Sequence, residues 1–133
     1  MRIGMIGLGR MGANMTTRLL AGGHEIVAHD RSAEAVGTAV ASGAEGADSL
    51  QSVIAALPAP RVVWVMVPSG EPTEETVTAL ADLMQSGDTV IDGGNSNYKE
   101  TVRRGQSLSE RGIHFVDVGT SGGVWGLKEG YSL

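Results

Sequence analysis

The sequence predicts an α/β fold, a doubly wound, mostly parallel sheet with helices on both faces. Three observations lead there. Short apolar runs alternate with helical patterns along the chain, the order that builds βαβ units with right-handed crossovers. The run at residues 62–67, VVWVMV, is continuously apolar, as a central parallel strand covered on both faces must be. Glycine is in excess, 20 of 133 residues against a usual share of about 7%, and falls mostly where elements are expected to end.

The first strand is expected at residues 2–8. A helix follows from the glycines at 9–12 to about Ala21, with Met11, Met15 and Leu19 recurring every fourth residue as one apolar stripe. Gly22 and Gly23 stop it. A second strand spans 25–30, after which Ser32 caps a helix presenting Val36, Ala39 and Val40 on one side, ended by Gly43. A brief strand is read at 44–47, and Asp48 is read as the cap of a short helix carrying Leu50, Val53 and Ile54. Beyond the strand at 62–67, Pro68 closes the run. Pro72, Glu74 and Glu75 suit a helix's first turn, and Val77, Leu80, Ala81 and Met84 give its buried face before Gly87. A strand at 89–92 precedes Asn97-x-x-Glu100, which has capping-box spacing for a helix to about Arg111. Gly112 ends that helix, a last strand occupies 114–118, and residues 119–130 are glycine-rich without a clear helical pattern.

Size and charge narrow the function. A chain of 133 residues can bury one core but is too short for a cofactor domain plus a full substrate domain. A single domain over residues 1–133 is therefore expected. The net charge of −5 lacks the positive field that a nucleic-acid partner requires. Without cysteine there is no disulfide, thiolate nucleophile or cysteine-held metal, and a reducing cytoplasm is the simplest home. No apolar run approaches the roughly 20 residues of a membrane span, and no signal peptide is read.

Gly7, Gly9 and Gly12 form G-x-G-x-x-G directly after a predicted strand and at the opening of a predicted helix. The first glycine permits a tight turn, the second lets backbone approach a pyrophosphate, and the third lets helix and strand pack closely. Exposed amides and the positive end of the helix dipole then hold the anion. Asp30, 21 positions beyond Gly9 and at the end of the next strand, is where an acid bonds the adenosine ribose hydroxyls. Together these predict a Rossmann-type dinucleotide-binding fold. A carboxylate at Asp30 would repel a 2′-phosphate and favours NAD, whereas Arg31 can stack on adenine or pair with that phosphate, which leaves NADP open. In an open parallel sheet the ligand sits beyond the carboxyl ends of the strands. Val67, Pro68 and Ser69, the Asp92-Gly93-Gly94-Asn95-Ser96-Asn97-Tyr98 segment and the Gly119 to Gly126 segment should therefore line the site. The candidate cofactor-contacting residues are Gly7, Leu8, Gly9, Arg10, Met11, Gly12, Asp30, Arg31, Ser32, Val67, Pro68, Ser69 and Asn95.

Through Gly7-Leu8-Gly9-Arg10-Met11-Gly12-Ala13-Asn14-Met15, the Asp92 to Tyr98 stretch and Gly119-Thr120-Ser121-Gly122-Gly123-Val124-Trp125-Gly126, the sequence resembles the 6-phosphogluconate dehydrogenase family along its length. The resemblance implies oxidative decarboxylation of 6-phosphogluconate to ribulose 5-phosphate with NAD or NADP and without a metal. It also implies a place in pentose phosphate and gluconate metabolism and a homo-oligomeric parent enzyme. It assigns Asn95 to both substrate and nicotinamide, and Ser121, Gly122 and Gly123 to the substrate. NADP-using members commonly carry Asn-Arg-Thr where this chain has Asp30-Arg31-Ser32, which points to an NAD-preferring branch. They also tend to carry a lysine in the loop where Val67-Pro68-Ser69 stands here.

No catalytic acid or base is read in this sequence. In the family those roles belong to a lysine and a glutamate of a following helical domain, so the chain is expected to be the front part of such an enzyme, inactive alone. Lys99 and Lys128 read as surface charges, His24, His29 and His114 as structural or solvated, and Trp64 as core; Trp125 is placed where it can wall the site. Two alternatives stay open: another β-hydroxyacid dehydrogenase of the 3-hydroxyisobutyrate type, and a freestanding NAD-binding redox-sensing module.

Overall fold

The computed structural model describes residues 2–67, 71–93 and 98–118. They form six strands and five helices in strict alternation until the sheet's end. These are β1 (Arg2–Ile6), α1 (Arg10–Ala21), β2 (Glu25–His29), α2 (Ala33–Ala41), β3 (Glu45–Gly46), α3 (Leu50–Ala56), β4 (Val62–Val65), α4 (Glu71–Leu83), β5 (Thr89–Asp92), α5 (Tyr98–Glu110) and β6 (His114–Asp117). The strands make one sheet in the order β3-β2-β1-β4-β5-β6, and every pair is parallel. The order reverses direction between β1 and β4, which opens a crevice at the carboxyl ends of those two strands.

The two-residue period of each strand divides the core in two. Ile3 and Met5 of β1, Ile26 and Ala28 of β2, and the partly buried Val62 and Trp64 of β4 pack toward α1 and α2 with Met15 and Ala39. Ile6, Val27, Val63, Val65 and Val90 pack on the other face with Val53 and Ile54 of α3, Val77 and Leu80 of α4, and Leu108 of α5. Continuous apolar strands are thus required because both faces are covered.

Most expected elements appear within one or two residues of their predicted bounds. Glycines end the helices as expected, with Gly43 and Gly87 at φ 114° and 97°. Two details differ. Ser49, not Asp48, caps α3: its hydroxyl accepts from the Ser52 amide at 3.1 Å, while Asp48 accepts from the Ser52 hydroxyl at 2.8 Å. Val40 is 47% exposed, because α2 lies over the edge strand β3, whose two residues are too few to cover the whole apolar side. Asn97 lies outside the described residues, so the expected capping box does too. Among the described residues no helix is long and apolar enough to cross a membrane.

Buried acids tie the sheet to its helices. Asp88, 1% exposed, accepts from the amides of Arg61 at 2.6 Å and Gln85 at 2.8 Å, joining the start of β4 to the turn before β5. At the other end of β5 Glu74 of α4 accepts from Arg104 Nε at 2.7 Å and from Arg103 at 3.2 Å, both on α5, and Arg104 also lies 3.8 Å from the buried Asp92. The Arg104 hydrogen bond, opposed by burial and aided by the charges of Arg103 and Arg104, holds the Glu74 carboxyl below its ordinary 4.5. Partial desolvation and the neighbouring Asp92 push the exposed Asp117 above its ordinary 3.8, against the pull of Arg104.

Two outcomes follow for stability. Asp88→Ala strands two backbone donors and is expected to cost about 2–4 kcal/mol, read as a lower urea midpoint. Because the folded value of Glu74 is depressed, its contribution is present above pH 4.5 and is lost as pH falls through the depressed value. The raised value of Asp117 works in the opposite sense, favouring the folded state as that group protonates. Glu74→Gln is therefore expected to be less stable than the parent at pH 7, with the gap in urea midpoint closing as the pH falls below 4.5. A gap constant from pH 7 to 3 would contradict this account.

Candidate dinucleotide site

The glycine turn is held by contacts that admit no side chain at two of its positions. Gly7 donates to the carbonyl of His29 at 2.9 Å and has φ 95°, and a Cβ there would lie 2.8 Å from the carbonyl carbon of Met66. A Cβ at Gly12 would overlap the carbonyl oxygen of Gly7. The first turn of α1 is thereby pressed onto the carboxyl end of β1. Gly9 occupies the cap position of α1 with no capping side chain, and the space where its Cβ would stand is open for 4 Å. The first amides of a helix have no partner within it, so an uncapped end beside open space is a seat for a diphosphate.

Asp30 stands beside that seat. One carboxylate oxygen accepts from the Leu8 amide at 2.6 Å and the other from the Ser32 amide at 2.9 Å. A carboxylate has about four acceptor positions, so one on each oxygen stays available after both bonds. The acid thus shapes the glycine turn and faces the cleft at once.

A cleft of about 790 Å³ opens over these groups, within the size range of ligand pockets. Of the sequence-predicted contacts, Gly7, Gly9, Arg10, Met11, Gly12, Asp30, Arg31 and Val67 line it. Leu8 and Ser32 do not. Leu8 is 6% exposed and packs in the core against α1 and α2, offering only its amide to Asp30, while Ser32 caps α2 by accepting from Ala35 at 3.2 Å. Pro68, Ser69, Asn95, Ser121, Gly122 and Gly123 lie outside the described residues, as do Lys128 and Trp125.

The cleft has a second wall that the sequence reading missed. Pro72, Glu75, Thr76 and Ala79 of α4 line it, joined by Leu50 of α3, His29 of β2 and Met66, while Gly93 lines the cleft as its segment was expected to. The spacing of three, one and three along α4 marks one helical face, adjacent to the one that buries Val77 and Leu80. That spacing was visible, but nothing local to it says what the face looks onto. His29, read as structural or solvated, borders the cleft while its Nδ1 sits 2.9 Å from the Ala47 carbonyl. Trp64 is only partly buried, its indole donating to the Met66 sulfur at 3.0 Å. A side chain at Gly93 would run into both Trp64 and Met66, so glycine keeps the floor of the cleft low at the end of β5. The uncapped helix end, the open space at Gly9 and the residual acceptor capacity of Asp30 together fit a dinucleotide.

Comparison with known proteins agrees with this geometry. Residues 2–133 match the family model described as the NAD binding domain of 6-phosphogluconate dehydrogenase. The chain is 44% identical over 133 residues to the 6-phosphogluconate dehydrogenase, NAD(+)-dependent, decarboxylating, of Haloferax volcanii, covering 100% of this chain and 44% of that protein. It is 40% identical over 136 residues to the decarboxylating 6-phosphogluconate dehydrogenase of Haemophilus ducreyi, covering 98% of this chain and 28% of that protein. The chain therefore spans less than half the length of these relatives. Among solved structures, Plasmodium falciparum 6-phosphogluconate dehydrogenase, determined alone, with its cofactor NADP+ and with its substrate, superposes with a TM-score of 0.91 at 27% identity, over 98% of this chain and 29% of that one. Mycobacterium tuberculosis 3-hydroxyisobutyrate dehydrogenase gives 0.85 at 28% identity, over 94% of this chain and 42% of that one. A parallel sheet with an uncapped, glycine-opened helix beside an acid, matched in sequence over residues 2–133, leaves one conclusion: the chain belongs to the family of NAD-binding domains of 6-phosphogluconate dehydrogenase.

Proposed function

We propose that this chain is the cofactor-binding part of an enzyme that oxidatively decarboxylates 6-phosphogluconate to ribulose 5-phosphate, with NAD preferred over NADP. The observation that carries the preference is Asp30, whose carboxylate is aimed by two backbone amides at the edge of the cleft. A fixed negative charge there accepts from ribose hydroxyls and repels a 2′-phosphate. The relative whose printed name includes NAD(+)-dependence is 44% identical over the whole of this chain.

In this reading the amides at the start of α1 bind the diphosphate, and the α4 face of Pro72, Thr76 and Ala79 walls the adenosine side. Val67 lines the cleft, and Pro68 and Ser69 are assigned to the cofactor with it. When bound, the nicotinamide supplies a hydride acceptor for the alcohol carbon of the sugar acid. Asn95 orients substrate and nicotinamide together, and Ser121, Gly122 and Gly123 receive the sugar acid, whose hydroxyls and carboxylate suit neutral donors and close backbone approach. The proton-accepting and proton-donating groups belong to a helical part of the parent enzyme, which we place in the cytoplasm as a homo-oligomer.

Calorimetric titration of the intact protein is expected to give a Kd for NAD at least about tenfold below that for NADP, the worth of one charge-assisted contact. Equal or tighter NADP binding would overturn the preference. Gly12→Val is expected to abolish binding of both, because its side chain and the Gly7 carbonyl cannot share one place; unchanged affinity in a folded variant would refute the site. Turnover of 3-hydroxyisobutyrate but not 6-phosphogluconate by the intact enzyme would reassign the substrate.

A further inference from the structure

We propose that Glu75 is a second determinant of cofactor choice, acting on a 2′-phosphate through its own charge and through its hold on Arg31. The proposal rests on the NAD-preferring reading above and extends it to a helix that the nucleotide-binding motif does not include.

Arg31 and Glu75 face each other across the cleft from the end of β2 and the first turns of α4, with Arg31 Nη2 3.6 Å from Glu75 Oε2. Arg31 follows Asp30 directly, so its guanidinium stands where a 2′-phosphate would need a partner. Left alone, that cation would offset Asp30 and invite the phosphate. With Glu75 engaging it, the adenosine end of the cleft stays negative, and a phosphate entering must displace one carboxylate from Arg31 while approaching two.

The position of Glu75 does not depend on the strength of this bridge. Both side chains are largely exposed, 84% for Arg31 and 59% for Glu75, and exposed pairs are weak. What places the charge is the neighbouring residue. Glu74 is gripped by Arg103 and by the almost fully buried Arg104, which fixes the rotation and height of the first turns of α4 against α5. Successive helical residues point about 100° apart. With Glu74 turned to α5, Glu75 is turned to the cleft, where Pro72, Thr76 and Ala79 share its face. The effect is a placed charge acting over a few ångströms of water, and it should fade as salt screens it.

The test measures Kd for NAD and NADP on the intact protein and on Glu75→Gln and Glu75→Asp, at low and high ionic strength. Glu75→Gln is expected to lower the NADP-to-NAD Kd ratio about fivefold at low salt, and by much less at 1 M, where screening acts within about 3 Å. Glu75→Asp, which keeps the charge, is expected to retain most of the parent's ratio. A ratio unchanged in Glu75→Gln while the parent binds NAD tightly overturns this proposal and leaves the dinucleotide site standing. So does an equal shift in Glu75→Asp and Glu75→Gln, which would trace the effect to side-chain shape. A parent that binds neither dinucleotide overturns the site itself and this inference with it.

Discussion

The contact on which the rest of the molecule depends is the approach of α1 to the carboxyl end of β1. With no side chain at Gly12, the helix rests against the carbonyl of Gly7, and with none at Gly7 the turn fits under Met66. That approach carries the first amides of α1 to the point where the sheet changes direction, between β1 and β4. A methyl group at either place would lift the helix off the strand, and the anion seat would lose both its depth and its aim. The same contact brings the Leu8 amide within 2.6 Å of Asp30, so the turn and the acid at the end of β2 form one unit.

Carboxylates do most of the remaining positioning, in two distinct settings. Asp88 and Asp92 are buried and staple the two ends of β5 to the elements around them through backbone amides and arginines. Asp30 and Glu75 border the cleft, where their charge stays accessible to a ligand. Glu74 and Glu75 show how one helix serves both settings, since adjacent residues leave it in different directions. The acidic residues are thus divided between the framework and the edge of the cleft.

Much of this was legible in the residues. The alternation of strand and helix, the parallel sheet and the glycine turn with its acid follow from periodicity and local backbone chemistry, and each appears in the structure. The misses share a cause. Val40 lies exposed because β3 is too short to cover it, and Ser49 rather than Asp48 caps α3 because backbone dihedrals choose between adjacent capable residues. Leu8, between two cleft glycines, turns its side chain into the core with Met15 and Ala39, a packing outcome that no pattern local to the turn sets.

By itself the sequence determined the elements, their order, the glycine turn and the acid at the end of the next strand, because those properties arise from periodicity and motif spacing along the chain. Only the tertiary structure decided that α4 forms the second wall of the cleft, that Glu75 meets Arg31, and that Arg104 joins Glu74 to Asp92. These pairs lie 12 to 44 positions apart in the chain. Their meeting depends on which face of each helix the sheet buries, and that is a property of packing rather than of any local pattern.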